Sequence, residues 1–121
     1  MTRDSRDLLD LIEQSLSDDQ ATDVITLNLQ GKTSIADYMV VASGRSHRHV
    51  GAMADHLRRR LKESEVKGVS VEGETHCDWV LIDAGDILVH LFRPEVREFY
   101  KLEKLWGEMP PSANSVGTAA G

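Results

Sequence analysis

Three short motifs in this chain carry residue types able to do chemistry, and their spacing decides what each can do. Gly44-Arg45-Ser46 is placed to open a helix, where unpaired backbone N–H groups and the helix dipole attract anions such as phosphate. Phosphoryl transfer at such a turn also needs two carboxylates close together to hold two metal ions, one residue apart on the adjoining strand. No Asp-x-Asp or Glu-x-Glu pair appears there, and the closest pair, Asp83 and Asp86, has a simpler use in stabilising a turn. His76-Cys77-Asp78 lacks the paired spacing of a zinc site, and His47 and His49 fall on different sides of a helix. Cys77 has no obvious activating base, and Ser43, Ser46 and the scattered histidines define no triad. These residues specify no catalytic centre, no metal site and no cofactor site. A nucleotidyltransferase-like enzyme acting on a nucleotide or RNA remains the alternative function, with the Gly44-Arg45-Ser46 turn as its sole motif.

The residues from Trp79 to Phe92 suggest binding instead. They read as two strands joined at Asp83-Ala84-Gly85-Asp86, and neither strand alternates simply between core and water. A turn closing about Ala84-Gly85 pairs Asp83 with Asp86, Ile82 with Ile87, Leu81 with Leu88, Val80 with Val89 and Trp79 with His90. Side chains alternate between faces, so Val80, Ile82, Ile87, Val89 and Leu91 form an aliphatic face that helices must cover. The opposite face collects Trp79, Leu81, Asp83, Asp86, Leu88, His90 and Phe92, apolar at its centre and polar at its edge. In a domain with few helices to spare, that face is a candidate docking surface for another protein. Tryptophan suits an interface centre, while Asp83 and Asp86 can accept hydrogen bonds from a partner's lysines or hydroxyls.

The elements that must position these residues follow from periodicity. Asp4 or Ser5 caps a helix whose buried stripe is Leu8, Leu9, Ile12 and Leu16, ending at Ser17-Asp18-Asp19. A strand from about Val24 to Leu29 turns at Gln30-Gly31-Lys32, and Tyr38 to Ala42 is apolar on both faces, as in a sheet interior. Ser46 caps a long helix from about His47 to Glu65, with a stripe of Val50, Met53, Ala54, Leu57 and Leu61. A short strand follows at Val69-Ser70-Val71, so the strand, helix and strand form a right-handed crossover with parallel strands. Pro94 starts a last helix burying Val96, Phe99, Leu102 and Leu105. The expected fold is an α/β domain over residues 1–107, a mixed sheet of about five strands with helices mainly on one face. Residues 108–121, rich in Pro, Ser, Ala and Gly, are expected to form a disordered tail.

Composition limits the function classes. The chain has 121 residues, enough for one core, with 40% hydrophobic and 28% charged residues, as in ordinary globular domains. A formal net charge of −6 argues against non-specific coating of nucleic acid. Arg45, His47, Arg48, His49, Arg58, Arg59, Arg60 and Lys62 nevertheless crowd one segment, so the basic helix offers an auxiliary contact to RNA. No apolar run approaches the ~18 residues of a membrane span. The amino-terminal stretch lacks a signal-peptide core, and a lone Cys77 agrees with a reducing, cytoplasmic setting.

Four blocks carry a resemblance. They are Ala36 to Gly44; Trp79-Val80-Leu81-Ile82-Asp83 with Gly85-Asp86; Val89-His90-Leu91-Phe92; and Arg97 to Trp106. In order and spacing they resemble the ribosomal silencing factor family RsfS, the Iojap or YbeB-like proteins. The resemblance implies a nucleotidyltransferase-like topology without the catalytic site. It implies a non-enzymatic repressor of translation that binds the large ribosomal subunit through its protein number fourteen, sterically blocks joining of the small subunit, and is often a homodimer when free. It also places the contact region on the Trp79 strand and on Asp86 to Phe92, where the residues alone suggest an uncovered face. The Pro/Ala/Gly-rich tail departs from the family pattern.

Overall fold

The computed structural model describes residues 5–96. Helix α1 (Ser5–Asp18) is followed by β1 (Thr22–Asn28), β2 (Tyr38–Ser43), α2 (His47–Glu63), β3 (Ser70–Glu72), β4 (Trp79–Asp83) and β5 (Ile87–Phe92). The five strands form one sheet in the order β1-β2-β5-β4-β3, with β2 and β5 parallel and the other neighbouring pairs antiparallel. The mixed sheet expected from periodicity is present, with α1 and α2 packed on the same face.

Both helix stripes appear as the spacing predicts. Leu8, Leu9, Ile12 and Leu16 of α1 and Val50, Met53, Ala54, Leu57 and Leu61 of α2 are buried together. Ser46 starts α2 by accepting the His49 backbone N–H at 3.1 Å, which satisfies one of the donors a helix end leaves open. The helix stops two residues early because Glu65 turns to φ +62 and the Val66 N–H closes back on the Leu61 carbonyl. Against these stripes lie Val40, Val80, Ile82, Ile87, Val89 and Leu91, all fully buried.

One expectation gains a detail and one needs correction. The strands flanking α2 are parallel, as expected, but are not neighbours in the sheet. β2 and β3 point the same way, but the β4–β5 hairpin is inserted between them, so the crossover spans two strands. The hairpin turn is also centred one residue later. Asp83 pairs with Leu88, Ile82 with Val89, Leu81 with His90, Val80 with Leu91 and Trp79 with Phe92. Only Gly85 in this turn takes a positive φ, +87°, and a two-residue hairpin needs that conformation at its first central position. Gly85-Asp86 therefore forms the tip, closed by the Ala84 N–H on the Ile87 carbonyl at 3.0 Å. Moving the centre by one residue moves the register by two, and an even slip keeps every side chain on its expected face.

Residues 94–96 are helical, and the rest of the expected last helix (Phe99, Leu102, Leu105 and Trp106), like the expected tail at 108–121, falls outside the described residues. Leu57 is fully buried where α2 meets the sheet, so Leu57→Ala should cost about 2–5 kcal/mol in urea unfolding. Arg58→Ala, next to it but exposed and paired with Asp55, should cost less than about 1 kcal/mol. Equal losses at the two positions would mean that this helix face does not carry the core.

Candidate functional site

The sheet side away from α1 and α2 is built from alternate residues of every strand. β1 supplies Ile25 and Leu27, β2 supplies Met39 and Val41, β5 supplies Leu88, His90 and Phe92, and β4 supplies Trp79, Leu81 and Asp83. Its centre is closed. Leu29, Ala36, Met39, Val41 and Phe92 form a second buried cluster, with Leu27, Trp79, Leu88 and Val96 packed partly against it. The cover comes from the β1–β2 connection, which folds back so that the Leu29 N–H reaches the Asp37 carbonyl at 2.8 Å. A segment that reads as a simple turn at Gln30-Gly31-Lys32 thus brings two apolar side chains over the sheet.

This cover divides the seven residues expected to share one exposed face. Trp79, Leu81, Asp83 and Leu88 are half-buried, and Asp86 is exposed at the hairpin tip. Phe92 is fully buried and His90 only 6% exposed, so both sit beneath the surface and the expectation of direct contact is corrected for them. Ile25, within the strand expected from about Val24 to Leu29, is 37% exposed on the same side because β1 is an edge strand. An apolar residue at a sheet edge is legible only once the strand order is known.

Trp79 and His90 are the polar centre of this face. The indole N–H donates to His90 Nδ1 at 3.0 Å, and the two ring centroids are 5.8 Å apart. Phe92 lies 5.0 Å from the indole and stacks on the imidazole at 6.1 Å with only 10° between planes. An imidazole whose Nδ1 accepts must be neutral and carry its proton on Nε2. That Nε2 is buried and has no hydrogen-bond partner among the described residues. Burial pushes the His90 pKa down from 6.5 to about 4.

The backbone entering β4 is held from one side. Asp78 Oδ1 accepts from Arg93 Nε at 3.0 Å and Nη2 at 2.8 Å and lies 2.7 Å from His47 Nε2. Hydrogen bonding from His47 and then Arg93 holds the Asp78 carboxyl below the usual carboxylate range. The Arg93 N–H also reaches the Asp78 carbonyl, so the end of β5 is tied to the residue before Trp79. On the preceding loop Gly73 has φ +89°, and any Cβ there would collide with the Trp79 carbonyl oxygen. The hairpin tip is anchored too, because the Asp86 carbonyl accepts the Asp37 and Tyr38 N–H groups at 2.7 and 3.2 Å. Asp83 Oδ1 accepts the Gly85 N–H at 2.9 Å, a turn-stabilising role.

The basic segment is largely paired internally. Arg58 and Arg59 meet Asp55, Arg60 meets Asp18, and His56 meets Asp19. His49 accepts the Arg45 N–H and sits 2.7 Å from the Asp19 carbonyl, facing away from the His47–Asp78 contact. Arg45 and Arg48 are exposed at the start of α2. Ser46 uses its hydroxyl as the helix cap, and the Cys77 thiol donates to the Glu74 carbonyl, its pKa raised by burial and by neighbouring Glu74 and Asp78. Among the described residues no three His, Cys, Asp or Glu side chains converge as metal ligands.

Comparison with known proteins adds independent observations. Residues 2–119 match the family described as "Ribosomal silencing factor during starvation". The chain is 58% identical over 100 residues to the ribosomal silencing factor RsfS of Zymomonas mobilis, covering 83% of this chain and 75% of that one. It is 35% identical over 101 residues to a mouse protein named "Mitochondrial assembly of ribosomal large subunit protein 1", covering 81% of this chain and 44% of the mouse protein. A crystal structure of a Chromobacterium violaceum protein superposes with a TM-score of 0.84 at 38% identity, covering 90% of this chain and 91% of that one. One from Bacillus halodurans gives 0.77 at 35% identity, covering 84% and 95%.

The depressed His90 pKa links this face to stability. A histidine that folding keeps neutral contributes stability fully above its unfolded value of 6.5, and that contribution is lost as pH falls towards about 4. The span between the two values corresponds to roughly 3 kcal/mol. Urea unfolding of the wild type should therefore weaken more steeply between pH 7 and pH 4 than that of His90→Leu. Parallel pH profiles would mean that water reaches the imidazole.

Proposed function

The chain belongs to the ribosomal silencing factor family, and from that premise we propose that it represses translation by docking on the large ribosomal subunit. The docking partner in this reading is the subunit's protein number fourteen, and the bound domain blocks joining of the small subunit by occupying its space. The observation that carries the reading is the half-buried apolar margin of Trp79, Leu81 and Leu88 beside the exposed Asp86, on the sheet side away from α1 and α2. The mouse relative's name refers to assembly of a large ribosomal subunit, which supports that subunit as the partner.

The mechanism needs binding and bulk, with no bond made or broken and no cofactor. About 800 Å² per partner suffices for a specific complex. Apolar side chains at the centre drive burial at roughly 25 cal/mol per Å² before the losses of association. Phe92 and His90 stiffen the platform from below, while Asp86 and Asp83 orient the partner. Pairing of two copies through the same margin is the use we propose for the free protein, and it competes with docking. Arg45 and Arg48 offer an auxiliary contact to ribosomal RNA. A cytoplasmic setting follows from this role, and among the described residues no helix is long and apolar enough to cross a membrane. The capping role of the Ser46 hydroxyl and the turn role of Asp83 support a binding protein over the nucleotidyltransferase-like alternative.

Co-sedimentation of the purified protein with isolated large subunits, small subunits and intact ribosomes tests the reading. Selective recovery with large subunits is expected, and Trp79→Ala or Leu88→Glu should abolish it while circular dichroism stays unchanged. Magnesium-dependent nucleotide turnover without ribosome binding would overturn it in favour of the enzyme.

A further inference from the structure

We infer that His90 is a positioning residue: its neutral imidazole, buried below the docking margin, accepts the Trp79 indole N–H and holds that ring at the angle in which it meets the partner. The inference rests on the docking reading and assigns the two residues different jobs. Trp79 touches the partner, and His90 acts through Trp79.

Three observations carry it. First, the indole N–H is already used within the chain, at 3.0 Å from His90 Nδ1, so Trp79 presents its carbon surface and not a hydrogen-bond donor. A half-exposed indole without that bond has an unpaired N–H at its buried edge and is drawn to turn it towards water. Second, the imidazole has no freedom of its own. Phe92 stacks on it at 10°, His90 is 6% exposed, and the backbone of β5 is paired on both sides at that position, with Val41 and Leu81. Third, histidine is a costly choice for this site. Its Nε2–H has no acceptor among the described residues, and a buried donor left unmade disfavours the folded state. A leucine would pack in the same apolar surroundings without that cost. A local rule broken in a core is expected where function demands it, and among the described residues the imidazole's hydrogen bond runs to the half-exposed tryptophan.

The surroundings also make the bond conditional on charge. On this face β1 and β2 present Ile25, Leu27, Met39 and Val41, and the cover presents Leu29, Ala36 and Val96, none of them titratable. β4 presents Asp83, whose carboxylate is engaged by the turn, and β3 presents Glu72 beyond Leu81. Asp86 stands exposed at the hairpin tip, and Arg93 is turned to Asp78 and Glu95. Among the described residues none of these groups forms an ion pair with the imidazole, so none of them compensates a proton on Nδ1. Acidification removes the acceptor and releases the indole.

The test uses the full-length protein with two readouts. In the free protein, the Trp79 indole N–H resonance (told from Trp106 by Trp79→Phe) should be slow to exchange at pH 7. It should shift and lose protection as His90 titrates. His90→Leu should stay folded by circular dichroism, lose that protection, and bind large subunits about tenfold more weakly, the scale of one hydrogen bond that orders a contact residue. His90→Gln, which offers an uncharged acceptor, should restore protection and binding and remove the pH dependence. A folded His90→Leu with a protected indole, or with wild-type affinity for large subunits, overturns the inference. If the wild type binds no large subunit at all, the docking reading fails, and the indole resonance alone still decides whether His90 holds Trp79.

Discussion

Strand β5 is hydrogen-bonded along both edges, parallel to β2 and antiparallel to β4, and is apolar on both faces except at His90. Because alternate side chains point to opposite faces, its register is an all-or-nothing choice. A slip of one residue would place His90 beneath α1 and α2 and turn Val89 to the other side. The ladder to β2 fixes that choice, with Val40 opposite Val89 and Val41 opposite His90. The margin of Trp79, Leu81 and Leu88 inherits its position from this double pairing.

The two faces are then built to different standards. The helix side gathers side chains from α1, α2 and four of the strands into one continuous core. The other side has a smaller cluster against which Trp79 and Leu88 pack only partly, leaving them and Leu81 half in solvent. Such a margin is apolar enough to gain from being covered. Its rigidity comes from below, through Phe92, and from the side, where Asp78 and Arg93 tie the start of β4 to the end of β5.

Energetics separate the roles of residues that look alike in sequence. Asp83 and Asp86 flank one turn, yet Asp83 spends an oxygen on the Gly85 N–H while the side chain of Asp86 stands exposed at the tip. His47, His49 and His56 each have a polar neighbour near the surface, whereas His90 is buried with one nitrogen unpartnered. Only the last carries a free-energy cost large enough to require an explanation beyond packing.

The amino-acid sequence by itself determined the helices, the strands and the face of each strand, because these depend on local periodicity. The stripes of α1 and α2 and the split between Val80, Ile82, Ile87, Val89 and Leu91 and their opposite neighbours were legible there. It also carried the resemblance that names the family. Tertiary structure decided which strands neighbour each other, and so that β4 and β5 separate β2 from β3 and that Ile25 lies on an edge. It moved the hairpin tip to Gly85-Asp86, and it closed the β1–β2 connection over Phe92 and His90. Those outcomes depend on contacts between residues far apart in the chain, for which no local pattern exists. The same reason hid the bond from Trp79 to His90, since a diagonal contact exists only once the register is set.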